Sequence, residues 1–584
     1  MFSKYYLEEM AYLRDMGREY AQRHPETGGM LSESGSDPDV ERLLEGFAFL
    51  TARIREKLDD ELPELTHSML ELFWPHYLRP LPALTIVQFK PTAKALNKLA
   101  TIPRGTQLAS KPIDGTTCQF QTCFETQLAP LTIKEVEVGP GASPFIRFRF
   151  APRQPASFAK LGLDTLRLHF SGDTQAGRAL RLCLLRYFKG AKVRPVGGEP
   201  KTISGVTTEP VGFAEQEALL PLPSRSFSGF RLLQEYLCYP KKFLFVDIKG
   251  LGGLSQVGNS AAFDLFCELE ALPHDMPPVG ASDVSLNCTP VVNLFPHEGD
   301  PIRVDHTRSR YPVNPSGTRG HFEVFSVESV QGVVQGRGER RVYQPFFTFD
   351  RREDELYFKT QRVESSTQEG TDLYVSFPGQ VGLAEEGAEG RSTGLVNHET
   401  ISLELTCTNR QLPRSMGMGE LCLPGENAPA FATFKNLDPP SPAVPPPLRG
   451  DVFWGLLGHL SLNHLSLTQP DRFRELLGLY HFRAQVDRQA AVSLRRRQDG
   501  ILAMRARPET RVLGASVIRG MKVEVKVDEE AFGSQGEAYL FGGILDAFFA
   551  QYVSLNAYSR VELRGEKFGE VHSWPPRSGT RTVL

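Results

Sequence analysis

The chain has 584 residues, which at roughly 150 residues per domain predicts three or four domains. Hydrophobic residues make up 40% of the sequence and charged residues 23%, which excludes an intrinsically disordered chain. The 66 Lys and Arg residues against 69 Asp and Glu residues give a formal net charge of −3, so bulk charge indicates neither nucleic acid nor an anionic membrane as a partner.

Residues 1–82 have the periodicity of helices and are predicted to form an N-terminal helical arm. A second helix begins at Asp37-Pro38, and a third begins at Pro63 and ends near Trp74, because Pro75 disfavours helical geometry in the residue before it. Apolar residues recur at spacings of four and three, close to a heptad seam. A short arm cannot bury all of them, so they are the predicted partner-binding residues: Tyr6, Met10, Leu13, Leu43, Phe47, Leu50 and Ile54.

After Pro82 the apolar period changes to two, which predicts half-buried strands at 145–150, 166–170 and 401–408. Such strands are typical of sandwich or barrel-like domains. The segment DMPPVGASD interrupts the pattern, and we place a boundary there. We therefore predict a β-rich domain over 83–280 and a second one over 281–438.

The end of the chain changes pattern again after a proline-rich stretch. PPSPAVPPP predicts a stiff extended linker over 439–450. The following segment, 451–584, is predicted to be an α/β domain with a buried helix over 454–467, a strand over 521–527, a helix over 537–552 and a strand over 559–563. The predicted fold class is thus a multidomain α+β chain with a helical arm, β-rich middle domains and a C-terminal α/β domain.

Common catalytic motifs are missing from the sequence: there is no P-loop, H-E-x-x-H, G-x-S-x-G or dinucleotide-binding glycine pattern. Eight cysteines occur without a C-x-x-C pair, which favours reduced, mostly buried thiols. We therefore predict no enzymatic activity, no cofactor and no metal. The first 15 residues carry charges where a signal peptide would be apolar, so we expect the cytoplasm.

Two groups of histidines leave a metal site open as an alternative to a purely structural role. His297 and His306 flank Asp300 and Asp305, and such a mixture can bind a metal if the loop curls suitably, although a hydrogen-bonded polar loop is favoured. His459 and His464 lie about 140° apart around a helix, which favours core or interface roles.

The acidic pairs Asp59-Asp60 and Glu529-Glu530 are expected on the solvated surface.

A local basic cluster could serve an acidic protein partner, nucleic acid or only solvent. Nucleic-acid binding would also require aromatic or groove-reading residues around it. The cluster consists of Arg495, Arg496, Arg497, Arg505, Arg507 and Arg511.

Five segments, in the same order along the chain, resemble the TssF family of type VI secretion baseplate subunits, also called ImpG and VasA. The first contains ERLLEGFAFLTARIREKLDDELPELTHSMLELFWPHYLRPLPA, and another is AYLFGGILDAFFAQYVSLNAYSRVEL. The five segments are Asp37–Ala83, Asn287–Val313, Trp454–Leu467, Ala538–Leu563 and Trp574–Arg581.

The resemblance implies a structural protein of the baseplate wedge. It implies assembly with TssG, TssK, TssE and a second TssF copy around the VgrG hub, from which the Hcp tube and contractile sheath are built. It also implies a cytoplasmic protein recruited to the inner-membrane-anchored secretion complex, without membrane insertion or nucleic-acid binding. From the residues alone, two alternatives stay open: a β-rich carbohydrate-active enzyme with a helical accessory region, and a nucleic-acid-binding module that uses the basic cluster.

Overall fold

The computed structural model describes residues 2–23, 38–59, 63–92, 99–152, 162–171, 174–221, 228–257, 260, 262–305, 308–334, 340–346, 356–365, 369–378, 399–448, 456, 468–513 and 516–579.

The helices begin with two of 22 residues each, α1 (Phe2–Arg23) and α2 (Pro38–Asp59). Pro38 opens α2 and acidic residues occupy its first turn, where they complement the positive end of the helix dipole. With α3 (Pro63–Phe73), the predicted order of three N-terminal helices is confirmed. The later helices are α4 (Gln175–Arg186), α5 (Ser228–Cys238), α6 (Pro470–Tyr480), α7 (Phe482–Val486), α8 (Arg488–Asp499), α9 (Glu529–Phe532) and α10 (Gln535–Ala550).

Most strands are short, and the longest have 10–13 residues. They are β1 (Leu84–Pro91), β2 (Ala100–Ile102), β3 (Gln107–Ile113), β4 (Thr116–Thr122), β5 (Thr126–Leu128), β6 (Leu131–Gly139), β7 (Phe145–Pro152), β8 (Leu166–Phe170), β9 (Phe188–Pro195), β10 (Lys201–Ile203), β11 (Thr207–Pro210), β12 (Phe245–Lys249), β13 (Phe263–Leu269), β14 (Val284–Leu286), β15 (Cys288–Val292), β16 (Phe295–Glu298), β17 (Ile302–Val304), β18 (Tyr311–Pro312), β19 (Glu323–Val334), β20 (Arg340–Pro345), β21 (Leu356–Glu364), β22 (Thr371–Ser376), β23 (Glu399–Thr408), β24 (Leu421–Pro424), β25 (Ala432–Asn436), β26 (Ile501–Leu513), β27 (Ser516–Val527), β28 (Ala557–Gly565), β29 (Val571–Ser573) and β30 (Arg577–Ser578).

Mostly antiparallel sheets build the middle of the chain. One has the strand order β24-β3-β4-β15-β1-β25, a second β10-β9-β13-β7-β6 and a third β11-β12-β8-β14. The largest runs β16-β23-β19-β20-β21-β22-β18, with β17 also paired to β23, and β2 pairs with β5. One sheet is nearly closed and barrel-like and another forms a half-barrel, so the predicted mixed α+β, multidomain class is confirmed.

The alternation seen in the sequence positions side chains on the two faces of a sheet. On β7, Ile146, Phe148 and Phe150 are fully buried, while the arginines between them lie on the other face. There Arg149 lies directly across from Asp264 of β13 in the strand register, and its Nε donates to that carboxylate over 2.7 Å. The strand predicted at 145–150 is therefore confirmed, and its polar face is stabilised by a charged pair.

The proline-rich stretch is extended and hydrogen-bonded to the start of β1. The Leu81 N–H donates to the carbonyl of Val444 over 2.8 Å, and the Val444 N–H donates back to Leu81 over 2.9 Å. The Ser441 N–H donates to the carbonyl of Leu84. The extended conformation follows from the prolines, but the sequence pattern gave no sign of these hydrogen bonds.

The C-terminal sheet has the order β26-β27-β28-β29, with β30 also paired to β28. β27 is antiparallel to β26 and parallel to β28, and α10 lies in the connection between the two parallel strands. Ile544 and Phe548 of α10 are fully buried, as is Val561 of β28. The predicted strand, helix and strand are confirmed. The helix predicted over 454–467 lies outside the described residues except for Leu456, which is buried.

The chain forms two compact units. The first comprises Met1–Leu70 and Leu448–Gly458, and the second comprises Glu71–Pro447 and His459–Leu584. Of the helices in the described ranges, none combines the length and the apolar character that crossing a bilayer demands.

Candidate interaction surface

The predicted partner-binding residues lie on α1 and α2, which pack against each other in the first unit. Ala48 and Ala52 on α2 are fully buried, and their short side chains allow close approach of neighbouring backbone. Arg14 on α1 donates to Glu41 on α2 over 3.0 Å. Both side chains of this ion pair are partly exposed, so it contributes only about 0–1 kcal/mol.

An exposed apolar ridge runs along α2 on the side away from the buried alanines. Leu43, Phe47, Leu50 and Ile54 are 74%, 60%, 60% and 61% exposed. At 100° per residue they fall within about 60° around the helix, so they form one continuous strip. Large apolar side chains in a strip of this kind mark an interaction surface far better than scattered ones. We call these four residues the α2 ridge.

The predicted residues on α1 differ from this pattern. Met10 is buried, and Tyr6 and Leu13 are half-buried. The three lie within about 60° of one another around α1, so one side of this helix is covered. Periodicity identified the apolar side of α1 but could not show that it is already covered within the folded chain. The expectation that these three side chains are exposed is therefore wrong for Met10.

A second exposed apolar strip on α1 was not predicted. Tyr12, Met16 and Tyr20 follow one another at spacings of four and are exposed. The i, i+4, i+8 spacing is visible in the sequence, but these three residues are not among the predicted partner-binding residues. This strip lies on a different side of α1 from Met10.

The possible metal ligands around residue 300 have other partners. An imidazole nitrogen of His297 lies 2.7 Å from the carbonyl of Ser316, and the ring stacks on Phe322 with centroids 4.6 Å apart. Asp300 accepts a hydrogen bond from the Ser316 hydroxyl. His306, His459 and His464 lie outside the described residues. Within the described part of the chain, no group of three or more potential ligands is arranged around one point.

The predicted basic cluster is divided between α8 and the β26–β27 hairpin. Arg497 lies 3.4 Å from the buried Glu537 of α10, and Arg507 lies 3.6 Å from Glu524 across the hairpin. The cluster is therefore partly neutralised and not one continuous basic surface. The exposed members are Arg495, Arg496, Arg505, Arg507 and Arg511.

One carboxylate expected on the solvated surface is buried instead. Glu529 accepts a hydrogen bond from the backbone N–H of Lys567 over 3.0 Å. A Cβ added at Gly565 would lie 1.7 Å from Glu529 Oε1, so the Glu529 carboxylate would have to move if a larger residue replaced this glycine. The expectation of a solvated pair is wrong for Glu529, because a backbone donor compensates its burial. Glu530 is exposed and accepts from the Lys567 ammonium over 2.6 Å.

All eight cysteines are free thiols, and seven of them are buried, which confirms the prediction of reduced, mostly buried thiols. Burial raises the pKa of the Cys118 thiol to about 11 and that of Cys123 to about 12. A thiol is a nucleophile only as its thiolate, so these side chains are packing residues.

The sequence profile of the family described as "Type VI secretion system, TssF" matches residues 1–581. The chain belongs to the TssF family. This TssF family member is 32% identical to type VI secretion system component TssF1 of Pseudomonas aeruginosa strain PAO1 over 631 aligned positions, which cover 100% of this chain and 99% of that protein.

Two solved structures agree with the family assignment. A chain of the TssK-TssF-TssG baseplate subcomplex, solved by cryo-electron microscopy, superposes with a TM-score of 0.75 at 30% identity, covering 93% of this chain and 99% of that one. A chain of the type VI secretion baseplate complex superposes with a TM-score of 0.66 at 26% identity over the full length of both. This TssF family member is a structural subunit of the type VI secretion baseplate.

Proposed function

We propose that the chain is a wedge subunit that assembles with TssG, TssK and TssE around the VgrG hub and so helps to nucleate the contractile sheath and the Hcp tube. The similarity to a chain of a TssK-TssF-TssG baseplate subcomplex, over 93% of this chain, supports TssG and TssK as partners. We extend the proposal to a second TssF copy in the wedge. The work takes place in the cytoplasm, on a secretion complex anchored in the inner membrane.

The observation that carries the assembly proposal is the α2 ridge. Covering about 600 Å² of apolar surface contributes on the order of 15 kcal/mol before association entropy and side-chain ordering are subtracted. The near-heptad spacing of Leu43, Phe47, Leu50 and Ile54 suits a helix from a partner chain, because such a row inserts between the side chains of a facing helix. We propose that TssG and a second TssF copy supply these helices.

Phe47→Glu and Ile54→Glu test this proposal by placing a carboxylate in the ridge. Each should abolish copurification with TssG, because a buried, unpaired charge in a helix interface costs several kcal/mol. The matched control is Glu45→Lys, which changes the charge of an exposed residue on another side of the same helix and should leave copurification intact. Circular dichroism checks folding. Normal TssG recovery with folded Phe47→Glu and Ile54→Glu would contradict the assignment of the ridge.

The proposed role is structural, with no catalysis and no metal or cofactor. Elemental analysis of the purified chain measures this directly, and we expect no stoichiometric metal. Zinc at one equivalent per chain would contradict the prediction.

A further inference from the structure

A cavity of about 210 Å³ lies in the second unit and shares no residue with the α2 ridge. It opens where the first residues of α10 meet α4, the segment after β13 and the turn between β28 and β29. The lining residues that carry the argument are Asp275, Glu529, Glu530, Gln535 and Lys567.

Gln535 lines this cavity with an amide that lacks a partner. Its side chain is 9% exposed, and among the described residues neither Oε1 nor Nε2 has a hydrogen-bond partner. The side chain is not needed to cap α10, because Ser534 Oγ already accepts from the Glu537 N–H over 3.2 Å. A buried amide without partners destabilises a folded chain, so a ligand that completes its hydrogen bonds would be favoured at this position.

The charge around the cavity selects a cation. Glu530 is paired with the Lys567 ammonium, which leaves Asp275 and Glu529 without a second cation from the lining residues. The hydrogen bond to Glu530, with attraction from Asp275 and Asp528, raises the pKa of Lys567. The start of α10 carries the equivalent of about half a positive charge, which is smaller than the two remaining carboxylates.

We propose that this cavity binds the side chain of an arginine or lysine from a partner chain. The cation meets the carboxylates of Asp275 and Glu529 and donates to Gln535 Oε1, while Gln535 Nε2 donates to a main-chain carbonyl next to that basic residue. The inference rests on the proposed function only in that a scaffold subunit meets partner chains, and it names a surface distinct from the α2 ridge.

L-Argininamide tests the site on the full-length chain, with L-citrullinamide as a probe of nearly the same shape whose side chain is uncharged. Saturation-transfer NMR should give a saturable signal for argininamide in the millimolar range and at least threefold weaker binding of citrullinamide. Equal binding of the two probes, or binding of neither, would overturn the proposal. Copurification with TssG is measured in parallel, so failure of this site and failure of the assembly role are separate results.

Substitutions inside and outside the cavity test whether argininamide binds there. Asp275→Asn, at an exposed position, and Gln535→Met should each weaken argininamide binding at least threefold, while Glu199→Gln removes an exposed carboxylate outside the cavity and should change nothing. Gln535→Met should also raise the melting temperature, because it removes an unsatisfied buried amide. A lower melting temperature would show that the amide is already satisfied in the free chain and would contradict the proposal, as would unchanged binding in Asp275→Asn.

Discussion

Asp546 is a fully buried carboxylate on α10 that pairs with Arg577. Its Oδ2 accepts from Arg577 Nε over 2.5 Å. Burial raises the pKa of Asp546 from its ordinary 3.8 to about 6, although Arg577 opposes the shift. A raised pKa in the folded chain means that folding favours the protonated acid, so its contribution to stability is present below about pH 3.8 and is lost as the pH rises through about 6.

Asp546→Asn should remove this pH dependence. Between pH 4 and pH 7 the wild type should lose on the order of 3 kcal/mol of unfolding free energy relative to the Asn variant. Urea denaturation of both proteins at several pH values measures the difference, in which other titrating groups cancel. Parallel curves for the two proteins would contradict the assignment of Asp546.

Replacing each of two adjacent glycines on α10 by alanine should change the stability of the chain differently. A Cβ at Gly542 would lie 2.2 Å from the Trp574 ring, whereas at Gly543 the nearest atom, Trp574 Nε1, is 3.7 Å away. Gly542→Ala should cost about 1–3 kcal/mol by overpacking. Gly543→Ala should be neutral or stabilising by up to about 1 kcal/mol, because alanine favours the helix. Thermal unfolding distinguishes them, and equal melting temperatures would show that Trp574 moves aside.

For single residues, the sequence predicted which side of a helix is apolar better than it predicted which side chains are buried. The spacing of Leu43, Phe47, Leu50 and Ile54 identified a strip that is exposed in the structure. The same reasoning failed for Met10, because burial depends on which element covers a helix face and periodicity contains no such information. The pairing of Glu529 with the Lys567 N–H joins residues 38 positions apart, which no local pattern reveals.

Among the elements, α2 has two fully buried small residues, Ala48 and Ala52. Ala48→Leu inserts three extra carbons at a fully buried position and should destabilise the first unit by about 1–3 kcal/mol. Ala11→Leu, at an exposed position on α1, is the matched control and should have little effect. Hydrogen exchange of the α1 and α2 amides reports on this unit directly. Faster exchange in Ala11→Leu than in Ala48→Leu would contradict the packing.

Element types followed from the sequence where the apolar period was clear. β7, β23 and α10 appear at the predicted positions, with ends that differ by a few residues. The pairing of the strands could not be predicted from the apolar period. β27 and β28 pair in parallel, and α10 lies in the connection between them. Periodicity predicts which face a side chain occupies and gives no information on the neighbouring strand.

For the whole molecule, the division into two units predicts that removing the N-terminal helices abolishes assembly without unfolding the second unit. A chain that begins at Glu71 keeps Tyr77, whose hydroxyl donates to the Leu479 carbonyl over 2.8 Å and whose ring packs edge-on against Phe482 at 4.7 Å. Such a chain should unfold cooperatively and show the β-rich spectrum of the intact protein, yet fail to copurify with TssG. Full TssG recovery would show that the second unit carries the main contact.

The domain boundaries drawn from the sequence stay predictions. The boundary at 280 was placed at a break in the strand pattern, but β1, before it, pairs with β15 and β25 after it. A sheet that joins distant segments leaves no compositional mark at its edges. Such pairing is a property of the folded molecule, so the family resemblance was a better guide to function than any boundary.

Because β1 pairs with both β15 and β25, the sheet around β1 can be completed only after β25 has been synthesised. Val87 and Phe89, both buried in the finished sheet, leave the ribosome long before residue 436, the end of β25. At about 5–20 residues per second the interval is roughly 17–70 s. During that time β1 is an open apolar edge, the kind of surface that recruits other nascent chains into aggregates. We therefore expect a chain stalled on the ribosome before residue 288 to be prone to aggregation, because neither strand that flanks β1 has yet been made.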